Sequence, residues 1–430
     1  MRSVKAAGNF ILVFTAAAGV AVSGQTAVEP LTDRERVLLE KIAKLEERIS
    51  ALEAKVNSPA VPPAAPVSSG GASEWLKDTT INFYFDGYYL WNTNRPLGRI
   101  NRLRAYDVKA NNFSISQTGT VIEKTPNVEA GRRWGYRLDL MYGQATETLQ
   151  GSPVNEPRPQ VYRPLFQAFG TYIVPIGKGL NVDFGKWASA LGYENNYTKD
   201  QINYSRSYFF NFLPFYHTGF RTNYSVNDRL SAGYWLVNGV NQTEDFNGFK
   251  SQLVQLTVRP APNSYWTTNY YVGREQRDLA LSETSVQPTP RGRLHIIDTY
   301  AEVNATEKLK LAGEFDYAIN RVEASSPPQR VIGGAAYLKY QFTPKFYFGQ
   351  RYVRLNDLAG LFSGTAQNLN DVTSTFAFRP ADGFETRIEY RRDFSNVPFF
   401  PTPEPGRLKN AQNTFTFGLL WWFGGKQGNW

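Results

Sequence analysis

The sequence has no cysteine and only two histidines, His217 and His295. Without thiols it can form no disulfide framework, no cysteine-ligated zinc or iron–sulfur centre, and no cysteine nucleophile. The two histidines are 78 residues apart, so there is neither a HExxH helix nor a local histidine cluster. No catalytic residue, metal site or cofactor is expected. Long apolar runs are missing too: past the first two dozen residues no stretch of 18 consecutive apolar residues occurs, so no helix is expected to cross a bilayer. The net charge of +9 is scattered along the chain, which argues against a nucleic-acid partner.

What is present is aromatic. The 29 Phe, 25 Tyr and 9 Trp make up 15% of 430 residues, yet the mean hydropathy is −0.42. Aromatic and β-branched residues with many glycines and a fifth of charged residues form a strand-and-turn composition. All-β barrels often exceed ordinary domain length as one unit.

The chain divides into parts of different grammar. Arg2 and Lys5 precede the apolar run Phe10 to Val22, and small residues follow at Ser23 and Gly24, so residues 1–24 read as a secretory signal peptide. Its removal takes away two positive charges and leaves +7. Residues 31–57 carry a heptad seam at Leu38, Ile42, Leu45, Ile49, Leu52 and Val56. Lys41 and Arg48 fall at g, facing Glu46 and Glu53 at e of a parallel partner, so a periplasmic coiled coil is expected. The alternative is a single amphipathic helix packed on its own protein. Residues 58–75, with Pro59, Pro62, Pro63 and Pro66 before a Ser-Ser-Gly-Gly step, read as a linker.

From Thr79 onward, within residues 76–430, the hydrophobic period becomes two. Ile388, Tyr390 and Phe394 alternate with Glu385, Arg387, Glu389, Arg391 and Asp393, and Phe315 and Tyr317 alternate with Glu314 and Asp316. Tyr216, Phe220, Tyr224 and Val226 likewise oppose His217, Arg221 and Asn223. Sixteen such stretches are predicted: 81–92, 112–122, 134–143, 165–174, 180–187, 216–226, 229–238, 250–259, 264–274, 294–304, 309–320, 332–342, 345–355, 371–379, 384–394 and 413–423. Alternation is blurred in 180–187, 250–259 and 345–355, which leaves a range of 14–18 strands.

Short turns such as Asn227-Asp228 and Thr343-Pro344 alternate with long polar loops such as 144–164, 275–292 and 395–411. Segregated turns and loops match an outer-membrane barrel, in which the short turns are periplasmic. In lipid every backbone polar group must pair within the protein, and a closed sheet of strands about 9–11 residues long achieves this. The expected fold is therefore all-β: a closed antiparallel transmembrane barrel of about 16 strands, greasy outside and charged inside. The final stretch ends at Phe423, as terminal strands of such barrels end at an aromatic, although residues 424–430 follow it.

Several motifs of the middle third, Gly185-Lys186-Trp187, Gly192-Tyr193-Glu194, Asn203-Tyr204-Ser205-Arg206-Ser207, His217-Thr218-Gly219, Asn238-Gly239 and Asp245-Phe246-Asn247, resemble the OmpL-like family of outer-membrane β-barrel porins. The likeness extends more weakly over 81–423 and implies a pore-forming protein, often with an N-terminal coiled coil.

Ala188 to Phe215 is too long for a turn, lacks alternation and is dense in Asn, Tyr and Arg; such a segment can fold into a lumen and narrow it. Lys186, Glu194, Arg206, His217 and Arg221 are the constriction candidates, and Glu314, Asp316, Glu385, Arg387, Glu389, Arg391 and Asp393 are expected to face the lumen. The functional expectation is a general or weakly selective porin passing small hydrophilic solutes, surrounded by outer-membrane lipid and assembled as a homo-oligomer with a trimer favoured. Two alternatives stand beside it: a plugged barrel serving as tether or adhesin, and an outer-membrane hydrolase using His217 with Ser207 and Asn211 nearby in sequence.

Overall fold

The computed structural model describes residues 40–50, 76–150, 156, 158–277, 280–282, 285, 286, 291–426 and 428–430. The signal peptide, the linker and the seam residues Leu38, Leu52 and Val56 lie outside the described residues. Two units divide the chain, Met1–Ala72 and Ser73–Trp430. In the first, residues 40–50 form a helix on which Ile42, Leu45 and Ile49 are exposed. Among the described residues no helix is long and apolar enough to cross a membrane.

The second unit is a closed barrel of sixteen antiparallel strands in chain order. They are β1 (Thr80–Asn92), β2 (Asn112–Lys124), β3 (Trp134–Tyr142), β4 (Leu165–Val174), β5 (Leu180–Ala188), β6 (Tyr216–Asn227), β7 (Leu230–Val237) and β8 (Ser251–Val258). The second half comprises β9 (Ser264–Gly273), β10 (Leu294–Asn304), β11 (Leu309–Asn320), β12 (Gln329–Thr343), β13 (Phe346–Asp357), β14 (Gln367–Ala381), β15 (Phe384–Ser395) and β16 (Ala411–Gly424). Each predicted stretch coincides with one strand. The main difference is that β12, β13 and β14 run a few residues further toward the long loops than alternation suggested.

Closure is made by β1 and β16, whose register runs from Asn82 opposite Gly424 to Asn92 opposite Thr414. It leaves no open sheet edge, as lipid requires. Aromatic pairs fasten this seam on the outside: Phe83 stacks on Phe423 at 5.2 Å and Trp91 on Phe415 at 5.6 Å. Such pairs contribute roughly 0.5–1.5 kcal/mol beyond area burial.

The barrel is inside-out relative to a soluble one. Phe184, Phe220, Phe376, Ile388 and Phe423 are among the most exposed side chains, whereas Asp86, Asp139, Arg351, Arg387 and Glu389 on the opposite parity are buried. Tyr216 departs from the parity expectation, because it is fully buried instead of facing outward with Phe220. It is the first residue of β6, and the neighbouring loops cover it: its hydroxyl donates to the carbonyl of Asn241 (2.8 Å) and to Glu156 (3.1 Å).

A charge placed on the outward face should be costly. Ile388→Arg, inside β15 and 61% exposed, is expected to lower barrel stability in lipid vesicles by about 2–4 kcal/mol. Urea unfolding checks this, and Ile388→Val should stay close to wild type.

Candidate functional site

The segment between β5 and β6 folds into the barrel as a strap. Near its end it forms a one-turn helix, Tyr208–Phe212, begun by Ser207, whose hydroxyl accepts from the Phe210 amide at 3.1 Å. Such a cap satisfies one of the amides that a helix start leaves without a carbonyl. Elsewhere the strap has little secondary structure of its own, so its amides need other acceptors.

The barrel wall supplies them as carboxylates. Gly192 donates its amide to Asp298 (3.1 Å) on β10, and Tyr193 to Glu314 (3.1 Å) on β11. On the far side Tyr204 and Ser205 both donate to Glu389 of β15, at 2.6 and 3.0 Å. Hydroxyls extend the pattern: Thr198 and Tyr204 both reach Asp86 at 2.5 Å, and Tyr208 reaches Asp393 at 2.7 Å. Tyr197 donates to Asp139 on β3. The strap therefore leaves the wall at β5 and β6 and is fastened around the circumference as far as β15 and β1.

Arginines of the wall take the strap carbonyls. Arg387 donates to Asn203 (2.8 Å), Arg351 to Ser205 (2.6 Å) and Arg391 to Arg206 (2.6 Å). Their charges are balanced in a buried series: Arg351 pairs with Glu194 (2.8 Å) and Asp371 (2.9 Å), and Arg391 with Asp371 (3.3 Å) and Asp393 (2.7 Å). Arg104, from the loop after β1, joins the same series at Asp393 (2.8 Å). Removing one partner from such a pair costs about 3–5 kcal/mol, because the other charge is left buried and alone.

At two of the inward glycines of the wall, strap residues lie where a side chain would be. A Cβ on Gly349 would come within 2.7 Å of Ile202, and one on Gly418 within 2.5 Å of the Tyr204 ring. On the loop side of the strap part of the interior is apolar, beside the buried polar group of Asn92, Arg104, Asp107 and Gln412. Tyr208, Phe209 and Leu213 pack there with Trp187, Leu253, Val353, Leu355 and Phe400, all buried.

The constriction candidates separate into two groups. Glu194 and Arg206 come together within the strap. Glu194 accepts from the Ser207 amide at 2.6 Å, and the Arg206 guanidinium donates to Asn195, Asn196 and Tyr204 carbonyls at 2.8–3.0 Å. Lys186, His217 and Arg221 lie apart from them. Lys186 has the outward parity of Phe184, and its ammonium sits 3.9 Å from the Tyr216 ring centre, away from the lumen, so parity within β5 corrects its expected place. His217 is fully buried against Trp235 and Tyr271, with Ser189 Oγ at Nε2 and the Gly239 carbonyl at Nδ1, both at 3.1 Å. Its partner is thus neither Ser207, which caps the strap helix, nor Asn211.

Arg221 alone of the five lines open space. It donates to Asp183 (2.5 Å) and borders polar hollows of about 370 and 440 Å³ on the turn side of the strap. A third hollow, of about 570 Å³, is bordered by Lys199, Glu302, Lys310, Lys339 and Arg379, with Asp382 and Gly383 of the β14–β15 turn at its rim. The residues expected to face the lumen, Glu314, Asp316, Glu385, Arg387, Glu389, Arg391 and Asp393, do point inward but are almost completely buried, so they do not line water. Arg351 was not singled out from the sequence. Its strand carries apolar inward neighbours, Val353 and Leu355, that hide the alternation.

Residues after β16 turn into the turn-side hollow. The Trp430 amide donates to Asp200 (2.9 Å), and Lys199 reaches the Gly428 carbonyl at 2.9 Å with its ammonium 4.5 Å from the Trp430 ring centre. Arg137 donates to the main-chain oxygen of Trp430 at 3.2 Å.

Comparison with known proteins follows the same outline. A family model described as "Putative beta-barrel porin-2, OmpL-like" matches residues 78–423. Among solved structures, the outer membrane channel DcaP of Acinetobacter baumannii aligns with TM-score 0.53 and 10% identity, covering 80% of this chain and 97% of that one. The anion-selective porin from Comamonas acidovorans aligns at 0.51 with 9% identity, covering 80% and 99%. A loop-deletion mutant of the Vibrio cholerae outer membrane protein OmpT aligns at 0.50 with 12% identity, covering 80% and 100%. At these identities the likeness is one of fold. No curated relative matches the chain in sequence.

The Glu389 carboxylate is expected to hold the strap's far end. Glu389→Ala removes the acceptor of two amides, each bond to a charged group contributing about 1.5–3 kcal/mol. Hydrogen exchange should show the Tyr204 and Ser205 amides losing protection while those of β15 and β16 keep theirs.

Proposed function

Since the chain belongs to the OmpL-like β-barrel porin family, and is an outer-membrane porin on that ground, we propose that it passes small hydrophilic solutes by passive diffusion with weak charge preference. The observation that carries this reading is the set of polar hollows on the turn side of the strap, where Lys310, Lys339 and Arg379 face Glu302 and Arg221 faces Asp183. Fixed charges of both signs at a narrow place favour polar solutes over apolar ones and give modest ion selectivity. The basic excess tilts that preference toward anions. Diffusion down a gradient involves no bond making, so the reading assigns no catalytic residue.

The apolar filling on the loop side means that conduction requires the strap and its neighbouring loops to move from the described conformation. That filling also favours the second reading, a plugged barrel acting as tether or adhesin. The helix of residues 40–50, with Ile42, Leu45 and Ile49 exposed, supports an oligomerising coiled coil on the periplasmic side, with a trimer as the favoured assembly. Outer-membrane lipid is the partner of the outward aromatic face.

Planar-bilayer recording of the purified protein is expected to give discrete ohmic steps. Arg221→Glu should move the reversal potential in asymmetric salt toward cations. Folded protein that stays silent at every voltage would transfer the case to the plugged barrel, and unchanged selectivity would remove Arg221 from the solute path. Cross-linking in membranes should yield a trimer that the Ile42→Asp, Ile49→Asp double variant loses; an unchanged ladder would refute the coiled-coil assembly.

A further inference from the structure

Beneath the first stretch of the strap, three acidic side chains from two adjacent strands converge. Asp298 of β10 is the direct cross-strand partner of Asp316 on β11, and Glu314, two residues before Asp316, shares its inward face. One oxygen from each of Asp298, Glu314 and Asp316 lies within 4.8 Å of the others, and all three residues are buried.

Ion pairing does not account for this charge. Among the described residues none of the three forms an ion pair. The neighbouring cations are engaged elsewhere, Arg351 with Glu194 and Asp371, and Lys310 with Glu302 (2.7 Å). Hydrogen bonding accounts for only two of them. Asp298 accepts from the Gly192 amide and from Asn269 (2.6 Å), and Glu314 from the Tyr193 amide and the Tyr337 hydroxyl (2.8 Å). Asp316 is 1% exposed, and among the described residues neither of its oxygens meets an amide, hydroxyl or cationic donor; its carboxyl lies against that of Asp298. Three converging buried carboxylates without a countercharge are strongly unfavourable as anions, and either a proton held between two of them or a coordinated cation relieves this.

We propose that Asp298, Glu314 and Asp316 bind a calcium ion inside the barrel wall. Calcium takes only oxygen ligands at about 2.3–2.6 Å, so a single ion bridges oxygens up to about 5 Å apart, which suits the observed spacing. Magnesium needs shorter, near-octahedral bonds of about 2.0–2.1 Å, which carboxylates fixed by strand register at this spacing serve poorly. The same carboxylates hold the Gly192 and Tyr193 amides, so the ion also fixes the geometry that docks the strap onto β10 and β11. The site is independent of the transport reading. The composition argument excluded metal sites built from cysteine and histidine, but carboxylates brought together by strand register leave no linear motif.

The test is equilibrium dialysis of radioactive calcium against the full chain in detergent after chelator treatment, with folding confirmed by heat-modifiable gel mobility. The expected result is saturable binding of about one equivalent per chain. Asp316→Asn, which keeps shape and removes charge, should weaken it at least tenfold, whereas Glu404→Gln, an exposed loop carboxylate, should leave it unchanged. Absence of saturable binding to folded wild type at millimolar calcium overturns the proposal. So does binding that survives in both Asp316→Asn and Glu314→Gln, or displacement by an equal concentration of magnesium.

Discussion

Carboxylates of the wall accepting main-chain amides of the strap are the contacts on which the interior depends. The strap has almost no secondary structure, so Gly192, Tyr193, Tyr204 and Ser205 would otherwise bury unsatisfied amides. Supplying acceptors as Asp298, Glu314 and Glu389 brings negative charge into a confined space, and the arginines of β13 and β15 return the balance while binding strap carbonyls. Most of these groups are satisfied by one another. A buried network of this kind rigidifies when complete and fails at its first missing member. The strap and the wall are thus one polar structure.

The outside obeys a looser rule. Lipid asks only for apolar side chains at alternate positions and a sheet with no open edge, conditions that many sequences meet. That is consistent with sharing the fold of DcaP and the Comamonas porin at 9–10% identity. The interior has less latitude, since a Cβ at Gly349 or Gly418 would collide with Ile202 or Tyr204.

The difference between the two faces explains what could be read from residues alone. Strand positions were legible because lipid imposes a period of two, and the strap was legible as a segment that breaks it. Alternation blurred at 180–187, 250–259 and 345–355 because Trp187, Leu253, Val353 and Leu355 point inward into the apolar cluster around the strap helix. A greasy inward face removes the contrast on which periodicity relies. For the same reason Arg351 leaves no signal in the sequence pattern. Lys186 was misplaced because its charge suggested the lumen, whereas its parity follows Phe184 and a cation–aromatic contact with Tyr216 accommodates it. The acidic residues of β11 and β15 lie on the inward parity, but their burial depends on a segment whose path no local pattern encodes.

The distance along the chain between the strap and its anchors sets an order of assembly. Tyr204 and Tyr208 are each separated by 185 residues from their partners Glu389 and Asp393. Closing such long loops is entropically unfavourable before distant contacts form to offset it, and topologies of this kind are slow. Until β13 to β15 take their places in the wall, the strap's amides have only water to bond. Docking therefore belongs with the final joining of β1 to β16, so a nascent barrel stalled short of that seam would hold a wide, water-filled interior that the mature protein no longer has.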